Sequence, residues 1–372
     1  MEDILQFLAN FKKKIFSSEN IFKLFFPKRM VGVDFGTDSI KVVELSRWGY
    51  GKTLENYGEI KSSALFKEPF RSNGQGSYFL STYFISRAVR AILEEAKIKT
   101  KAAVFSLPDF STFCTVLELP PMLAKEIPEA VHYNASQFIP LSLGETTIDW
   151  KLIEGVPGDN KSRLKVFLVA IPNQLIQDYK TIAEMAGLEL YAVEAEVLSL
   201  ERVLIKERKK IVCIVDIGLQ STTISISRDK KMQRSYSVEF SASELTRALH
   251  IGESIPETQA EEIKQKHGLE VPSKDISKTF YLLVDPLIVE IKNILYEFSQ
   301  QEGKGVDVIY LTGGNSTIPG LKDYISDSLK INVEIPNCFN GLLYPPILEE
   351  TLQELSPRFA VAVGAALGGL ET

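Results

Sequence analysis

Two stretches of this chain repeat one hydrophobic–polar pattern. In the first, the apolar run Val31-Gly32-Val33 meets Asp34-Phe35-Gly36, turns through Thr37-Asp38-Ser39, and runs back as Ile40-Lys41-Val42-Val43-Glu44-Leu45. In the second, Ile211-Val212-Cys213-Ile214-Val215 meets Asp216-Ile217-Gly218, turns through Leu219-Gln220-Ser221, and returns as Thr222-Thr223-Ile224-Ser225-Ile226. Each predicts a strand, a tight polar turn and a second strand. A third run, Val308-Ile309-Tyr310-Leu311-Thr312, predicts a buried strand that leads into Gly313-Gly314-Asn315. Two matching frames in one chain imply an internally duplicated α/β fold.

The patterns between these frames are equally regular. Thr53 to Ile60 predicts a strand, Gly74-Gln75-Gly76 a loop, and Ser81 to Ala96 an amphipathic helix with Ile85, Ala88, Val89, Ile92 and Leu93 inward. Ala102 to Leu107 predicts a strand stopped by Pro108. Residues 109–172 have their own rhythm: a strand over Cys114 to Leu119, a helix over Ala124 to Gln137, and strands over Thr147 to Ile153 and Val166 to Ile171. That reads as a small inserted α/β subdomain. Asn173 to Ala186 predicts a helix closed by Gly187, followed by a strand and a second helix entered at Glu194-Ala195-Glu196. Residues 241–300 are helix-rich, with an acidic amphipathic segment at Glu257 to His267. The small-residue run from Arg358 to Leu367 predicts a terminal helix fit for close packing. The expected organisation is an arm (1–29), a first core subdomain (30–108 and 173–207) carrying the insert (109–172), a second core subdomain (208–240 and 301–355) carrying the helical part (241–300), and a terminal helix (356–372) packed on the first subdomain.

Composition narrows the function. A chain of 372 residues with 45% apolar and 24% charged residues has room for two or more cores. Its net charge of −6 argues against a general nucleic-acid binder. The three cysteines, Cys114, Cys213 and Cys338, are odd in number and widely spaced, which predicts reduced thiols and a cytosolic setting. Three histidines without clustered spacing leave no zinc pattern. No run of eighteen apolar residues is present. Residues 1–29 stand apart: Ile4, Leu8, Phe11 and Ile15 form a helical stripe, widened by Leu5, Phe7 and Phe16, and the segment carries six basic residues against three acidic ones. Seven large apolar side chains at roughly 1.5–3 kcal/mol each make about 10–20 kcal/mol of gross burial. The arm therefore seeks either its own fold, a partner, or the surface of a membrane.

The turns suit phosphate. A glycine-containing turn lets backbone N–H groups approach an anion, and Thr37, Ser39, Ser221 and Thr222 add hydroxyl donors. Asp34 and Asp216, one at each turn, would repel polyphosphate unless a hydrated Mg²⁺ lies between them, an ion that takes one or two carboxylates and keeps its waters. Gly313-Gly314 offers a flat surface to a base ring, with a helix N-terminus expected next. The P-loop and dinucleotide glycine signatures are both absent.

Taken in order, the two Asp-x-Gly hairpins, Leu311-Thr312-Gly313-Gly314 and Ala360-Val361-Ala362-Val363-Gly364 resemble the actin-like superfamily, a ribonuclease H-like duplicated fold. Val33 through Leu45 is similar to the opening signature of the PilM family of type IV pilus assembly proteins. Leu117-Glu118-Leu119-Pro120 and Gln137-Phe138-Ile139-Pro140 resemble the borders of the insert shared with the cell-division protein FtsA. Glu194-Ala195-Glu196 with Leu200, and Ala260-Glu261-Glu262-Ile263-Lys264 with Gly268, resemble the connecting and nucleoside-facing helices. The resemblance covers about residues 30–370.

It implies an actin-like core with an FtsA-type insert that binds ATP with Mg²⁺. Gly36, Thr37, Asp38, Ser39 and Lys41 would hold the phosphates from one side, and Gly218, Gln220, Ser221 and Thr222 from the other. Asp34 and Asp216 would order the magnesium waters, and Glu261, Lys264, Gly313, Gly314 and Asn315 would surround the nucleoside. It also implies a cytoplasmic protein peripheral to the inner face of the cytoplasmic membrane, bound to the short N-terminal tail of a PilN-like membrane protein and working with other pilus assembly proteins. Leu219-Gln220 and Ser241-Ala242 depart from the small-residue family pattern.

Hydrolysis needs a group that orients water, and Glu194 and Glu196 are the candidates by position. The expectation is a scaffold in which ATP is a structural ligand turned over slowly or not at all. An FtsA-like tether that self-associates into filaments is one alternative, for which the amphipathic arm speaks. A small-molecule kinase is another, but no Asp lies near the helix after Tyr191, only the two glutamates.

Overall fold

The computed structural model describes residues 28–65, 81–139, 142–271 and 273–371. Residues 1–27, most of the arm, and the Gly74-Gln75-Gly76 loop lie outside them, as does Pro140 at the insert border.

The duplication is visible in the sheets. β1 (Lys28–Phe35), β2 (Ser39–Trp48) and β3 (Gly51–Lys61) form an antiparallel meander, and β4 (Ala102–Leu107) and β8 (Glu189–Ala195) extend it in parallel, in the order β3-β2-β1-β4-β8. The second sheet repeats the scheme. β9 (Ile211–Ile217), β10 (Thr222–Arg228) and β11 (Lys231–Val238) are the meander, and β12 (Val308–Thr312) and β13 (Val333–Glu334) extend it, in the order β11-β10-β9-β12-β13. Between β4 and β8 a third, antiparallel sheet of order β5-β7-β6 is inserted, made of β5 (Phe113–Leu119), β6 (Thr146–Glu154) and β7 (Leu164–Pro172). Its core of Leu117, Val131, Ala135, Leu164, Val166 and Leu168 closes under the helix over Ile127–Phe138.

The helices sit where the apolar stripes demand. α1 (Thr82–Glu95) and α3 (Asn173–Ala186) cover one face of the first sheet through Ile85, Val89, Leu175 and Ile182. α2 (Ile127–Phe138) covers the insert. α3 ends at Gly187, whose left-handed φ of 77° closes the helix as the sequence predicts. α4 (Glu196–Leu204) follows β8 directly. α5 (Ala242–Glu253), α6 (Glu257–His267) and α7 (Lys274–Glu302) pack beside the second sheet, and α8 (Leu321–Leu329) follows β12.

The last helix, α9 (Glu349–Glu371), holds the halves together. Its core joins Met30 and Val43 of the first sheet to Val212 and Ile214 of the second. The approach is tight enough to need glycine: a Cβ on Gly32 would lie 2.0 Å from the Ala362 carbonyl, and one on Gly364 2.2 Å from the Ser199 carbonyl. α9 begins nine residues before the small-residue run, because Pro357 lies inside the helix rather than ahead of it. Among the described residues no helix is long and apolar enough to cross a membrane.

Candidate functional site

The two hairpins end at one cleft. In the first, antiparallel register sets Lys41 opposite Asp34 and Ile40 opposite Phe35. Cross-strand partners share a face, so Lys41 Nζ reaches Asp34 Oδ2 at 3.3 Å, and Ser106 Oγ stands 3.4 Å from Oδ1. Gly36 is required by the turn, since a Cβ there would sit 2.7 Å from the Ser39 carbonyl. In the second hairpin the register sets Thr223 opposite Asp216. The Gly218 amide donates to the Ser221 carbonyl at 3.0 Å, and a Cβ on Gly218 would lie 2.7 Å from that same oxygen.

The third wall is the double glycine. Gly313 has φ +90°, and a Cβ there would stand 2.4 Å from Asp216 Oδ1 and 2.5 Å from the Ile217 carbonyl. Its amide donates to the Pro357 carbonyl at 2.9 Å, so α9 anchors this turn. Gly314 has nothing within 4 Å of a hypothetical Cβ and presents bare backbone to the cleft. The helix expected directly after it does not start there: turns run on to Gly320, and α8 opens only at Leu321. The amides of Gly313, Asn315 and Ser316 bond to the Pro357, Ile217 and Gly313 carbonyls, so a turn held by its own hydrogen bonds, not a helix end, borders the cavity.

The cavity measures about 420 Å³, within the range of small-molecule sites. Asp34, Gly36, Thr37, Asp38, Ser39 and Lys41 line one side, and Asp216, Gly218 and Ser221 the other. Gly313, Gly314, Asn315 and Glu261 close one end, and Glu196 lies on the wall between the halves.

Four of the expected residues sit elsewhere. Glu194 turns away and makes a bidentate pair with Arg202 at 2.6 and 2.9 Å, with a further bond from Ser199. Arg202 also donates to the Gly364 carbonyl at 2.8 Å, so Glu194 ties β8 to α4 and α9. Thr222 is buried on the other face of its strand and donates to the Phe240 carbonyl at 3.1 Å. Strand alternation explains the exchange, because Asp216 faces the cleft and its cross-strand partner Thr223 must do so too. Gln220 is off the lining, its side-chain oxygen buried without a hydrogen bond. Lys264 lies behind the wall, fully buried, paired with Glu261 at 2.8 Å and bonded to Asn315 Oδ1 at 3.2 Å. Burial draws its ammonium below the ordinary lysine range against the pull of Glu261. Lys264 therefore positions Glu261 and Asn315.

Charge is uneven around the cleft. Burial disfavours the Lys41 ammonium, but Asp34 and Glu59 outweigh it and hold its pKa above the ordinary value. For Asp216, burial plus the neighbouring Asp34 outweigh the pull of Lys41 and push its carboxyl up to about 7. Asp109, which the sequence places only at the insert border, lines the same cleft. Burial and the charge of Asp216 raise it to about 7, an effect that the Thr223 hydroxyl and Val197 amide offset only in part. Neither of its oxygens has a partner of full hydrogen-bond geometry. Its signal was available in outline: a Pro-Asp pair ends a strand that must run parallel to β1, and such strand ends face the ligand crevice. Gln265 and Arg358 also line the cavity, the latter paired with Glu59 at 3.5 Å.

This donor set suits a hydrated cation rather than a naked one. No cluster of three or more Asp, Glu, His or Cys able to hold a metal occurs among the described residues. Asp216 and Asp34 beside two amide-rich turns match an ion that keeps its waters and shares phosphate oxygens.

Comparison with known proteins follows the same lines. The family model described as type IV pilus assembly protein PilM matches residues 32–370. Cell division protein FtsA of Enterococcus faecalis (strain ATCC 700802 / V583) is 24% identical over 354 residues, covering 82% of this chain and 78% of that protein. The FtsA of Enterococcus hirae is 23% identical over the same shares. Among solved structures, a PilM-PilN type IV pilus biogenesis complex superposes with a TM-score of 0.80 at 24% identity, over 92% of this chain and 99% of that one. The ethanolamine utilization protein EutJ from Carboxydothermus hydrogenoformans follows at 0.54 and 18%, over 92% and 91%. The fold is actin-like, and the chain belongs to the type IV pilus assembly protein PilM family.

Proposed function

We propose that this protein is an ATP-binding scaffold of a type IV pilus or related secretion machine. The nucleotide lies in the cleft with its phosphates between the two Asp-x-Gly turns, a hydrated Mg²⁺ beside Asp216 and Asp34, and its nucleoside against Gly313-Gly314, Glu261 and Asn315. The observation that carries this reading is the convergence of three glycine-dependent turns on one cavity of about 420 Å³. Magnesium supplies charge neutralisation when bound. Lys41, held charged by Asp34 and Glu59, adds a fixed cation on the first side.

ATP acts chiefly as a ligand that holds the halves closed. Glu194 is committed to Arg202, which leaves Glu196 as the carboxylate on the cleft wall able to orient a water. Steady phosphate release above about ten per minute, abolished by Asp216→Ala, would contradict a structural role for the nucleotide.

The insert is the docking element for the N-terminal tail of a PilN-like membrane protein, which brings the scaffold to the inner face of the cytoplasmic membrane. Leu123, Tyr133, Phe138 and Val156 of the insert are exposed apolar side chains that suit an extended peptide. A fluorescent tail peptide from the membrane protein encoded beside this one tests the reading by anisotropy. Saturable binding that tightens with Mg-ATP and is lost in Tyr133→Ala supports it; no binding with or without nucleotide would refute it.

A further inference from the structure

The two halves end one equivalent strand differently. In each sheet a strand runs parallel to the one that carries the cleft aspartate: β4 beside β1, and β12 beside β9. β12 leads into Gly313-Gly314, which bring bare backbone to the cavity. β4 leads into Pro108-Asp109, which brings a carboxylate to the matching place.

An aspartate at the start of a turn commonly folds its side chain back onto the amides of that turn. Asp109 does not. It opens a short 3-10 turn, Asp109–Ser111, in which the Ser111 amide and hydroxyl both donate to the Pro108 carbonyl, at 3.1 and 2.9 Å. The Thr112 amide donates to the Asp109 carbonyl at 3.3 Å. Backbone and hydroxyl groups close the turn, and the carboxylate is left over. It is 9% exposed, lines the cavity, and has no hydrogen-bond partner of full geometry on either oxygen. A buried carboxylate without partners is costly to a folded chain, and one on a cavity wall points to a ligand that completes it.

The surrounding charges say what that ligand is. Eight acidic side chains line the cavity against three basic ones, so a phosphate group entering alone would be repelled. Two of the three bases are already committed, Lys41 to Asp34 at 3.3 Å and Arg358 to Glu59 at 3.5 Å. Asp34 is thus neutralised within its own hairpin. Asp109 and Asp216 are not: they act on one another as like charges from opposite halves, and Lys41 reaches Asp216 only through its field. The groups nearest Asp109 are the Thr223 hydroxyl and the Val197 amide in the first turn of α4. Both are neutral donors, and a helix N-terminus supplies only about half a charge.

A single ammonium or guanidinium group would balance one of these two carboxylates and leave the other. A divalent ion balances both, and an ion that keeps its waters needs no more than one or two carboxylates. That matches a place where no three ligating side chains gather among the described residues. We propose that Asp109 and Asp216 form the cation seat of this cleft: they hold a hydrated divalent ion through its waters, across the seam between the halves, and the chain loads this ion before a nucleotide arrives. Asp34 stays beside the ion, but its charge is taken up by Lys41. The proposal deepens the nucleotide reading and rests on it only for the place of the phosphates.

Manganese(II) is the probe, because the free ion gives a paramagnetic resonance signal that binding removes. The full chain is titrated without nucleotide at pH 8, above the value of about 7 to which burial raises both carboxyls. One ion per chain should bind, and Mg²⁺ should compete for the same place. Hexaamminecobalt(III), whose ammine ligands do not exchange, should displace the manganese too, since the seat works through the ion's own ligand shell. Asp109→Asn should weaken manganese binding about 10–100-fold, the usual loss when a carboxylate that acts on a metal through another ligand is removed. Glu262→Gln, the same change of charge elsewhere on the cavity lining, should change it by less than about twofold. Without metal, the melting temperature of Asp109→Asn should hold or rise, because a like-charge contact is relieved. Wild-type protein that takes no manganese, manganese that hexaamminecobalt cannot displace, or a Glu262→Gln loss equal to that of Asp109→Asn would each overturn the proposal. So would an Asp109→Asn variant that melts lower yet binds manganese as wild type does, which would mark a purely structural carboxylate. Calorimetry with ATP keeps the two readings apart. A chain that binds Mg-ATP but no ion alone sinks the seat and keeps the nucleotide; a chain that binds the ion but no ATP does the reverse.

Discussion

The two cleft-facing turns share a backbone and differ in charge. Gly36 and Gly218 stand equally close, at 2.7 Å for an added Cβ, to the carbonyl three residues on. The residue opposite the aspartate is Lys41 in the first turn and Thr223 in the second. The first turn thus carries its own counter-ion, while Asp216 of the second, buried beside Asp109, makes no ion pair of its own among the described residues and only shares the field of Lys41. The duplication repeats the turn geometry while the charges around it differ.

The largest expected effect strikes that difference. Lys41→Met removes the partner of a buried carboxylate and should cost about 3–5 kcal/mol in urea unfolding. Thr223→Val, the same position in the second turn, should cost about 1 kcal/mol or less. Equal losses would dissolve the contrast.

Next in size is a pH dependence. The raised carboxyls of Asp109 and Asp216 keep their protons in the folded state up to about pH 7, whereas the unfolded chain releases them near pH 4. The folded state thus binds more protons between these values, and stability falls as pH rises. The unfolding free energy should drop by on the order of 2–4 kcal/mol from pH 4 to pH 8. Asp216→Asn should flatten the decline, and should leave the variant more stable than wild type at pH 8. A wild-type curve that rises over this window would show that Asp216 is paired after all.

Gly36→Ala and Gly218→Ala probe what the turns share. Each should lose about 1–3 kcal/mol by overpacking against a carbonyl, with the two values within about 1 kcal/mol of one another. Thermal melts read this directly. Smallest is Thr222→Val, which removes one buried hydrogen bond, costs about 1 kcal/mol, and should leave nucleotide affinity untouched, unlike its neighbour Thr223→Val.

Local pattern made most of the frame legible. Apolar runs broken by Asp-x-Gly placed both hairpins, the period of residues 173–186 placed α3 to the residue, and Glu257 to His267 is α6 as read. What escaped depended on partners distant in sequence. The face of Thr222 against Thr223 is settled only by register with Asp216. Asp109 gains meaning because β4 runs parallel to β1, which carries its end into the cleft. Glu194 and Glu196 are two apart, but one ends on the strand and the other opens α4, so they diverge, and Arg202 takes the first. The start of α9 was hidden by Pro357, which reads as a boundary in sequence and is an interior residue whose carbonyl accepts from Gly313 and Thr312.

Calorimetric titration of ATP into the purified chain, with magnesium and then with chelator, tests the clamp most directly. One site per chain, bound tightly with magnesium, weakly without it, and weakly in Asp216→Asn under either condition, is the expected result. Absence of heat in the wild type, or an affinity indifferent to both magnesium and Asp216, would contradict it.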